Sequence, residues 1–204
     1  MNRYEIHAVG LGGMGVIQLS KLITKAAVNY QNRIAVQTEA YSASARGGRC
    51  WADVVVELDD SEKMIDYPKA LSPYDFVFVL SEEAAGDVKK SDLKETGWML
   101  WDSSIIARFS AATRMPSLAI PAQEMAIKEF GEAVIGSSIF FGAFCSLSGI
   151  LSKDAALKTL EASVPKKSVT KNRSAFERGW KIGEKRKTEP RILEKPEKEK
   201  KQTG

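Results

Sequence analysis

Apolar and polar positions along the chain change period several times. Residues 4–9, Tyr-Glu-Ile-His-Ala-Val, form a strand-like run that stops at Gly10. Over residues 13–30, Met14, Ile17, Leu19, Leu22, Ile23, Ala26 and Ala27 recur close to a 3.6 period, which predicts a helix. Residues 33–38, Arg-Ile-Ala-Val-Gln-Thr, read as a second strand, so the chain opens with a β-α-β unit whose first strand ends in a glycine turn. Parallel strands joined in this way cross over right-handedly in nearly all proteins. A third strand over 50–58 carries Val54, Val55 and Val56, apolar towards both faces as in a sheet covered on two sides. Asp59 and Asp60 make the following turn. Residues 74–80 give another buried strand, and Ser81 then caps a helix that has Glu82 and Glu83 in its first turn. Short strands are predicted at 98–101, ending at Asp102, and at 117–120, stopped by Pro121. Helices follow over 123–130, 139–151, 153–162 and 172–187, with Ser152 as a capping signal and Pro165 as a break.

This order predicts an α/β three-layer sandwich with a mostly parallel sheet, a Rossmann-like first β-α-β unit and a helical C-terminal part. Ligands of such sheets lie outside the carboxyl ends of the strands. Residues 1–187 are read as one domain. Residues 188–204 are almost all charged, proline or polar, with both signs mixed, and read as a solvated, disordered tail rather than a nucleic-acid arm. The alternative for the tail is a helical extension that orders on a partner.

Two glycine-rich turns carry the chemistry. The first is Gly10-Leu-Gly12-Gly13-Met-Gly15. Gly10, Gly12 and Gly15 fit G-x-G-x-x-G, in which successive glycines allow a tight turn, close approach of a ligand and close helix–strand packing. The helix that follows presents free N–H groups and a partial positive charge, so the turn is a candidate phosphate cradle. Gly13, next to Gly12, also suits close packing against a neighbouring loop or subunit. Glu39 lies 24 residues after Gly15, where a dinucleotide-binding protein places its ribose-binding acid. The second turn is Arg46-Gly47-Gly48, preceded by Tyr41, Ser42 and Ser44 in a loop of small residues. Paired glycines leave backbone amides bare, and Arg46 can grip a carboxylate or phosphate with two hydrogen bonds. Both turns begin at strand carboxyl ends and should face the same edge of the molecule.

The chain resembles the gamma subunit of the 2-oxoacid:ferredoxin oxidoreductases over residues 4–185. The resemblance rests on the first glycine turn, on the loop Tyr41-Ser-Ala-Ser-Ala-Arg46-Gly47-Gly48 with its valine-rich strand, and on a C-terminal pattern. That pattern is an apolar helix ending in Ser148-Gly149-Ile-Leu151, then Asn172, Ala175, Phe176, Glu177 and Gly179. The family loop often reads Ser-Tyr-Gly-x-Glu-x-Arg-Gly-Gly; here Ser42 replaces the glycine and Ser44 the glutamate. The resemblance implies a multi-subunit enzyme that oxidatively decarboxylates a 2-oxoacid to an acyl-coenzyme A, with electrons passed to ferredoxin. Thiamine diphosphate, Mg and iron–sulfur clusters would belong to the holoenzyme, on alpha and beta subunits and, in some complexes, a delta subunit. This chain alone would bind no cofactor. The Tyr41–Gly48 loop would face the active-site channel, and 2-oxoglutarate is the expected substrate from the habits of free-standing gamma subunits, not from any residue.

The remaining composition agrees. Net charge is +4 and there are two cysteines, Cys50 and Cys145, whose apolar surroundings suggest buried free thiols without zinc or cluster spacing. The only histidine, His7, sits inside a strand and reads as a packed residue. The uncharged run 133–151 is interrupted by glycines and serines and reads as a buried helix, not a membrane span. No basic segment followed by a long apolar core opens the chain, so no signal peptide is expected and the location is read as cytoplasmic. Two other readings remain open: a free-standing NAD- or flavin-binding protein with Glu39 on the ribose, and a structural adaptor without ligand contact.

Overall fold

The computed structural model describes residues 2–43, 47–107, 109 and 115–189. Six strands form one sheet in the order β2-β3-β1-β4-β5-β6. They are β1 (Arg3–Leu11), β2 (Ala35–Tyr41), β3 (Arg49–Glu57), β4 (Tyr74–Val79), β5 (Leu93–Asp102) and β6 (Ser117–Ile120). The helices are α1 (Val16–Gln31), the single turn α2 (Glu82–Ala85), α3 (Ala122–Phe130), α4 (Gly136–Ser148), α5 (Lys153–Ser163) and α6 (Val169–Thr188). The α/β sandwich and the mostly parallel sheet are as the sequence predicts.

The opening unit differs in one respect. β1 and β2 are joined through α1 and run the same way, but they are not neighbours. β3 lies between them, antiparallel to both. Only β1, β4, β5 and β6 form the parallel part. β3 can take this central place because its Val54, Val55 and Val56 are fully buried, as the two-sided apolar pattern requires. β5 is longer than expected. Its first half, Leu93-Lys-Glu-Thr-Gly97, has no strand pattern, and its pairing with β4 shifts register between Tyr74 and Phe76. Gly97 there leaves room for the Asp75 carbonyl and the Leu93 side chain, which is the usual use of glycine at an irregularity of a strand.

The two faces of the sheet are covered unequally. One face carries α1 and α4, with α6 stacked on α4. Phe144 of α4 meets Phe76 edge-on at 4.8 Å, and Phe141 meets Phe176 of α6 at 5.6 Å. α4 is therefore buried almost all round, which accounts for its uncharged sequence. The other face packs Val9, Val77, Val79 and Met99 under α2 and the side chains of Ile106, Phe109 and Met115. His7 lies on this second face, its ring stacked on Tyr74 at 4.7 Å and its Nδ1 2.6 Å from the buried Asp53 carboxylate. Burial and the nearby Asp53 push the Tyr74 hydroxyl up to about 12. Cys50 and Cys145 are both buried and free, and burial raises both thiols.

Ser81 and Ser152 cap α2 and α5 as expected, each accepting a backbone N–H three residues on at 3.2 Å. α6 reaches Thr188; residues 190–204, most of the segment read as a tail, lie outside the described residues.

The α4–α6 crossing depends on glycine. A Cβ on Gly142 would strike the Phe176 carbonyl, and one on Gly179 the Ile139 carbonyl. Backbone cannot yield as a flexible side chain can. Gly179→Ala should therefore lower stability by about 1–3 kcal/mol, read as a lower urea midpoint at unchanged slope. Gly86→Ala, in open space with φ −67°, should stay within about 1 kcal/mol of the unsubstituted protein or gain stability.

Candidate ligand-binding site at the glycine turns

The β1–β3 ladder pairs Gly10 with Cys50 and Leu11 with Arg49. Extending that register by one residue places Gly12 opposite Gly48, and the Gly12 N–H indeed donates to the Gly48 carbonyl at 3.0 Å. The two glycine turns thus meet at one edge, as expected from their places at strand ends. The loop is closed on itself by the Ser42 N–H, which donates to the Arg49 carbonyl at 2.8 Å. The Ser42 hydroxyl is buried and has no partner among the described residues. Ser44 and Arg46 lie outside the described residues.

The glycines divide their work differently from the dinucleotide fingerprint. Gly10 gives the close packing: a Cβ there would lie 2.8 Å from Val16 Cγ2 and 3.2 Å from Leu80 Cβ. Gly12 gives its amide to the second turn while its other side lines a neighbouring cavity. Gly13 and Gly15 have φ of +93° and +86°, a region that side chains other than glycine's enter at a cost of about 1–2 kcal/mol. A Cβ on Gly13 would meet nothing within 4 Å in this chain, so no neighbouring loop packs on it here, and Gly15 faces Ser137 at the start of α4. Gly47 is also left-handed, at +66°, and bare.

Glu39 does not sit where a ribose-binding acid would. β3 separates β2 from β1, which moves Glu39 a further strand spacing away, to roughly 10 Å from the β1 axis. Its carboxylate is already engaged. Tyr41 Oη donates to it at 2.6 Å, Gln37 Nε2 at 2.9 Å, and Lys21 Nζ lies 3.0 Å away. The Tyr41 hydroxyl, then Lys21, hold the Glu39 carboxyl below the usual carboxylate range, and the same contact raises the Tyr41 hydroxyl.

Beside the turns opens a cavity of about 900 Å³, near the upper end for small-molecule sites. Gly12, Gly13, Gly15, Tyr41 and Cys50 form one wall, and the starts of α4 and α6 form another through Ser137, Ser138, Ser168, Lys171 and Asn172. Lys21 and Lys167 add further cations, and Glu132 adds one acid to the lining. Ser138 Oγ donates to Asn172 Oδ1 at 2.7 Å and ties the two helices together. Three helices, α1, α4 and α6, begin at this cavity. None has a side-chain cap or an acid in its first turn. α2 and α5, which begin elsewhere, have both. The α1 start leaves N–H groups and partial positive charge facing the space, which suits an anion, whereas α4 and α6 continue from the 3-10 turns Ala133–Ile135 and Lys166–Ser168, which take up the N–H groups of Gly136 and Val169. The sequence did not disclose the α4 and α6 contributions, because no motif marks them; the only available signal was the lack of acids after Ile135 and Ser168.

A family model described as pyruvate ferredoxin/flavodoxin oxidoreductase matches residues 5–182. The chain belongs to this family. It is 34% identical over 185 residues to the 2-oxoglutarate synthase subunit KorC of Methanocaldococcus jannaschii, covering 88% of this chain and 94% of the relative. The KorC subunit of Archaeoglobus fulgidus is 29% identical over 191 residues, covering 93% and 92%. Among solved structures, the keto/oxoacid ferredoxin oxidoreductase gamma subunit of Geobacter sulfurreducens PCA superposes with a TM-score of 0.74 at 29% identity, covering 88% of this chain and 98% of that one. The 2-oxoglutarate:ferredoxin oxidoreductase of Magnetococcus marinus shares the fold, with a TM-score of 0.75 at 18% identity over 91% of this chain and 32% of that one. This chain is thus a gamma-type subunit of the family and part of an oxidoreductase.

Among the described residues no group of three or more His, Cys, Asp or Glu could hold a metal ion, and no described helix is long and apolar enough to cross a membrane.

Tyr41→Phe removes the main cause of the lowered Glu39 carboxyl. Its titration midpoint, followed by the side-chain carboxyl shift in NMR, should move up towards the ordinary glutamate value. The direction follows from the loss of a donor that favours the charged form.

Proposed function

We propose that this chain is the gamma subunit of a 2-oxoglutarate:ferredoxin oxidoreductase. The complex oxidatively decarboxylates 2-oxoglutarate, transfers the succinyl group to coenzyme A and passes electrons to ferredoxin. The substrate follows from the KorC names of the relatives, and coenzyme A from the Magnetococcus marinus enzyme, described with 2-oxoglutarate, coenzyme A and succinyl-CoA bound. Alpha and beta subunits, with or without a delta subunit, carry thiamine diphosphate, Mg and the clusters. The isolated gamma chain is inactive and works in the cytoplasm.

Within the complex, the 900 Å³ cavity receives the phosphate-bearing part of coenzyme A, and the Tyr41–Gly48 loop faces the active-site channel. The observation that carries this reading is the convergence of three helix starts without side-chain caps on a cavity walled by the first glycine turn and by Tyr41. A free-standing dinucleotide-binding protein is less well supported, because the Gly12 amide is spent on Gly48 and Glu39 is held by Lys21 and Tyr41.

Purification of the tagged chain from its source cells tests the assignment. Partners carrying thiamine diphosphate and clusters, and viologen reduction that depends on 2-oxoglutarate and coenzyme A, are the expected result. A chain that purifies alone with bound nucleotide would overturn it. In the assembled enzyme, Arg46→Ala should raise KM for coenzyme A or for 2-oxoglutarate by about ten- to a hundredfold, the loss of about 1.5–3 kcal/mol from a charged two-point contact. Unchanged KM for both substrates would return the loop to a packing role.

A further inference from the structure

Lys21 has two destinations. It lies on α1 one turn beyond Ile17 and Gln18, on the face that lines the cavity. Yet its Nζ rests 3.0 Å from Glu39 Oε1, on the neighbouring strand β2. Both partners are partly open to solvent, with side chains 48% and 26% exposed, so the ion pair is cheap to break. Glu39 does not need Lys21 to remain satisfied. The Tyr41 hydroxyl donates to Oε2 and Gln37 Nε2 to Oε1, and Gln37 is itself fixed on Ser20 Oγ at 2.8 Å. If Lys21 leaves, the carboxylate keeps two positioned donors.

Lys171, the other ion-paired lysine on the cavity wall, is held differently. Its Nζ lies 3.0 Å from Glu132 and also donates at 3.0 Å to the Phe130 carbonyl at the end of α3. It is fixed to the scaffold by backbone as well as by charge. Lys21 has no such anchor, and a lysine on a flexible four-carbon stem can move its three donors from one oxygen to another.

We infer that Glu39 holds Lys21 in reserve and releases it to a phosphate in the cavity, which makes Glu39 a specificity-determining residue for phosphate-bearing ligands. A lysine leaves a carboxylate for an anion of higher charge density, so a phosphate can take it where a ligand carboxylate, a match for Glu39, cannot. The inference rests on the reading that the cavity receives the phosphate end of coenzyme A. It adds a sign that this reading does not require: removing the acid should strengthen binding.

Steady-state kinetics of the assembled complex, with coenzyme A and 2-oxoglutarate varied separately, decide it. Lys21→Met should raise KM for coenzyme A about five- to tenfold. Glu39→Gln, which frees Lys21 while still accepting from Tyr41, should lower it about two- to fivefold. kcat and KM for 2-oxoglutarate should be unchanged in both, as expected when only uniform binding of one substrate is altered. In the double variant Glu39→Gln/Lys21→Met, the effect of the glutamine should vanish, because Glu39 acts only through Lys21. If Lys21→Met leaves KM for coenzyme A unchanged, Lys21 is not released to the ligand and the reserve mechanism falls. If Lys21→Met raises KM but Glu39→Gln also raises it, leaves it alone, or acts equally without Lys21, the site stands and the reserve mechanism falls. A change in KM for 2-oxoglutarate instead would overturn the assignment to phosphate.

Discussion

The antiparallel pairing of β1 with β3 is the constraint on which the rest of the molecule depends. It runs over nine residues of each strand, from Arg3 opposite Glu57 to Leu11 opposite Arg49. A strand inserted between β1 and β2 interrupts the neighbour relation that a β-α-β unit normally keeps. It also delivers the Tyr41–Gly48 loop, which joins β2 to β3, to the carboxyl end of β1. Register then leaves no freedom. A slip of one residue would turn Val54 and Val56 away from the helices and separate the Gly12 amide from the Gly48 carbonyl. The burial of Val54, Val55 and Val56 is therefore what holds two distant glycine turns together.

The same edge is assembled from the other side by the helical C-terminal part. α4 lies against the sheet through Phe144, and α6 lies against α4 at glycine contacts too close for any Cβ. That closeness brings the start of α6 beside the start of α4, where Ser138 and Asn172 are hydrogen bonded. Leaving a helix start without a side-chain cap costs about 0.5–2 kcal/mol. Three such starts around one cavity, in a chain that caps α2 and α5 with serine, represent stability forgone at one place. An anion supplied from outside would give the α1 start the acceptor it lacks; at α4 and α6 the preceding 3-10 turns already accept from Gly136 and Val169.

Much of this was legible in the sequence. The period of α1, the apolar run of α4, the serine caps and the buried β3 valines all follow from local patterns, because burial and capping are local demands. The strand order was not legible. Nothing in residues 50–58 states whether the strand pairs parallel at an edge or antiparallel in the middle, since a two-sided apolar run satisfies both. The first half of β5 was missed because Lys94, Glu95 and Thr96 belong to an irregular stretch whose pairing is set by Gly97 and Asp75. At the site, both glycine turns were visible, and that they face one edge was anticipated from strand ends alone; the Gly12–Gly48 contact was not, because it depends on β3 pairing with β1. The uncapped starts of α4 and α6 were not, because the absence of a cap leaves no motif.

Glu39 shows how a fingerprint can keep its spacing and lose its function. Its distance from the first glycine turn fits a ribose-binding acid, yet that spacing has meaning only if β2 is next to β1. With β3 between them, the carboxylate faces Lys21 and Tyr41 instead. The dinucleotide fingerprint and this site share the chemistry of a helix start and differ in what surrounds it. In the fingerprint, the acid recognises the ligand's hydroxyls. Here it stands behind a lysine that lines the cavity, and its effect on an anion is exerted through that lysine's charge. Spacing along the chain specifies which residues a turn and a strand can offer; the order of strands in the sheet decides what those residues meet.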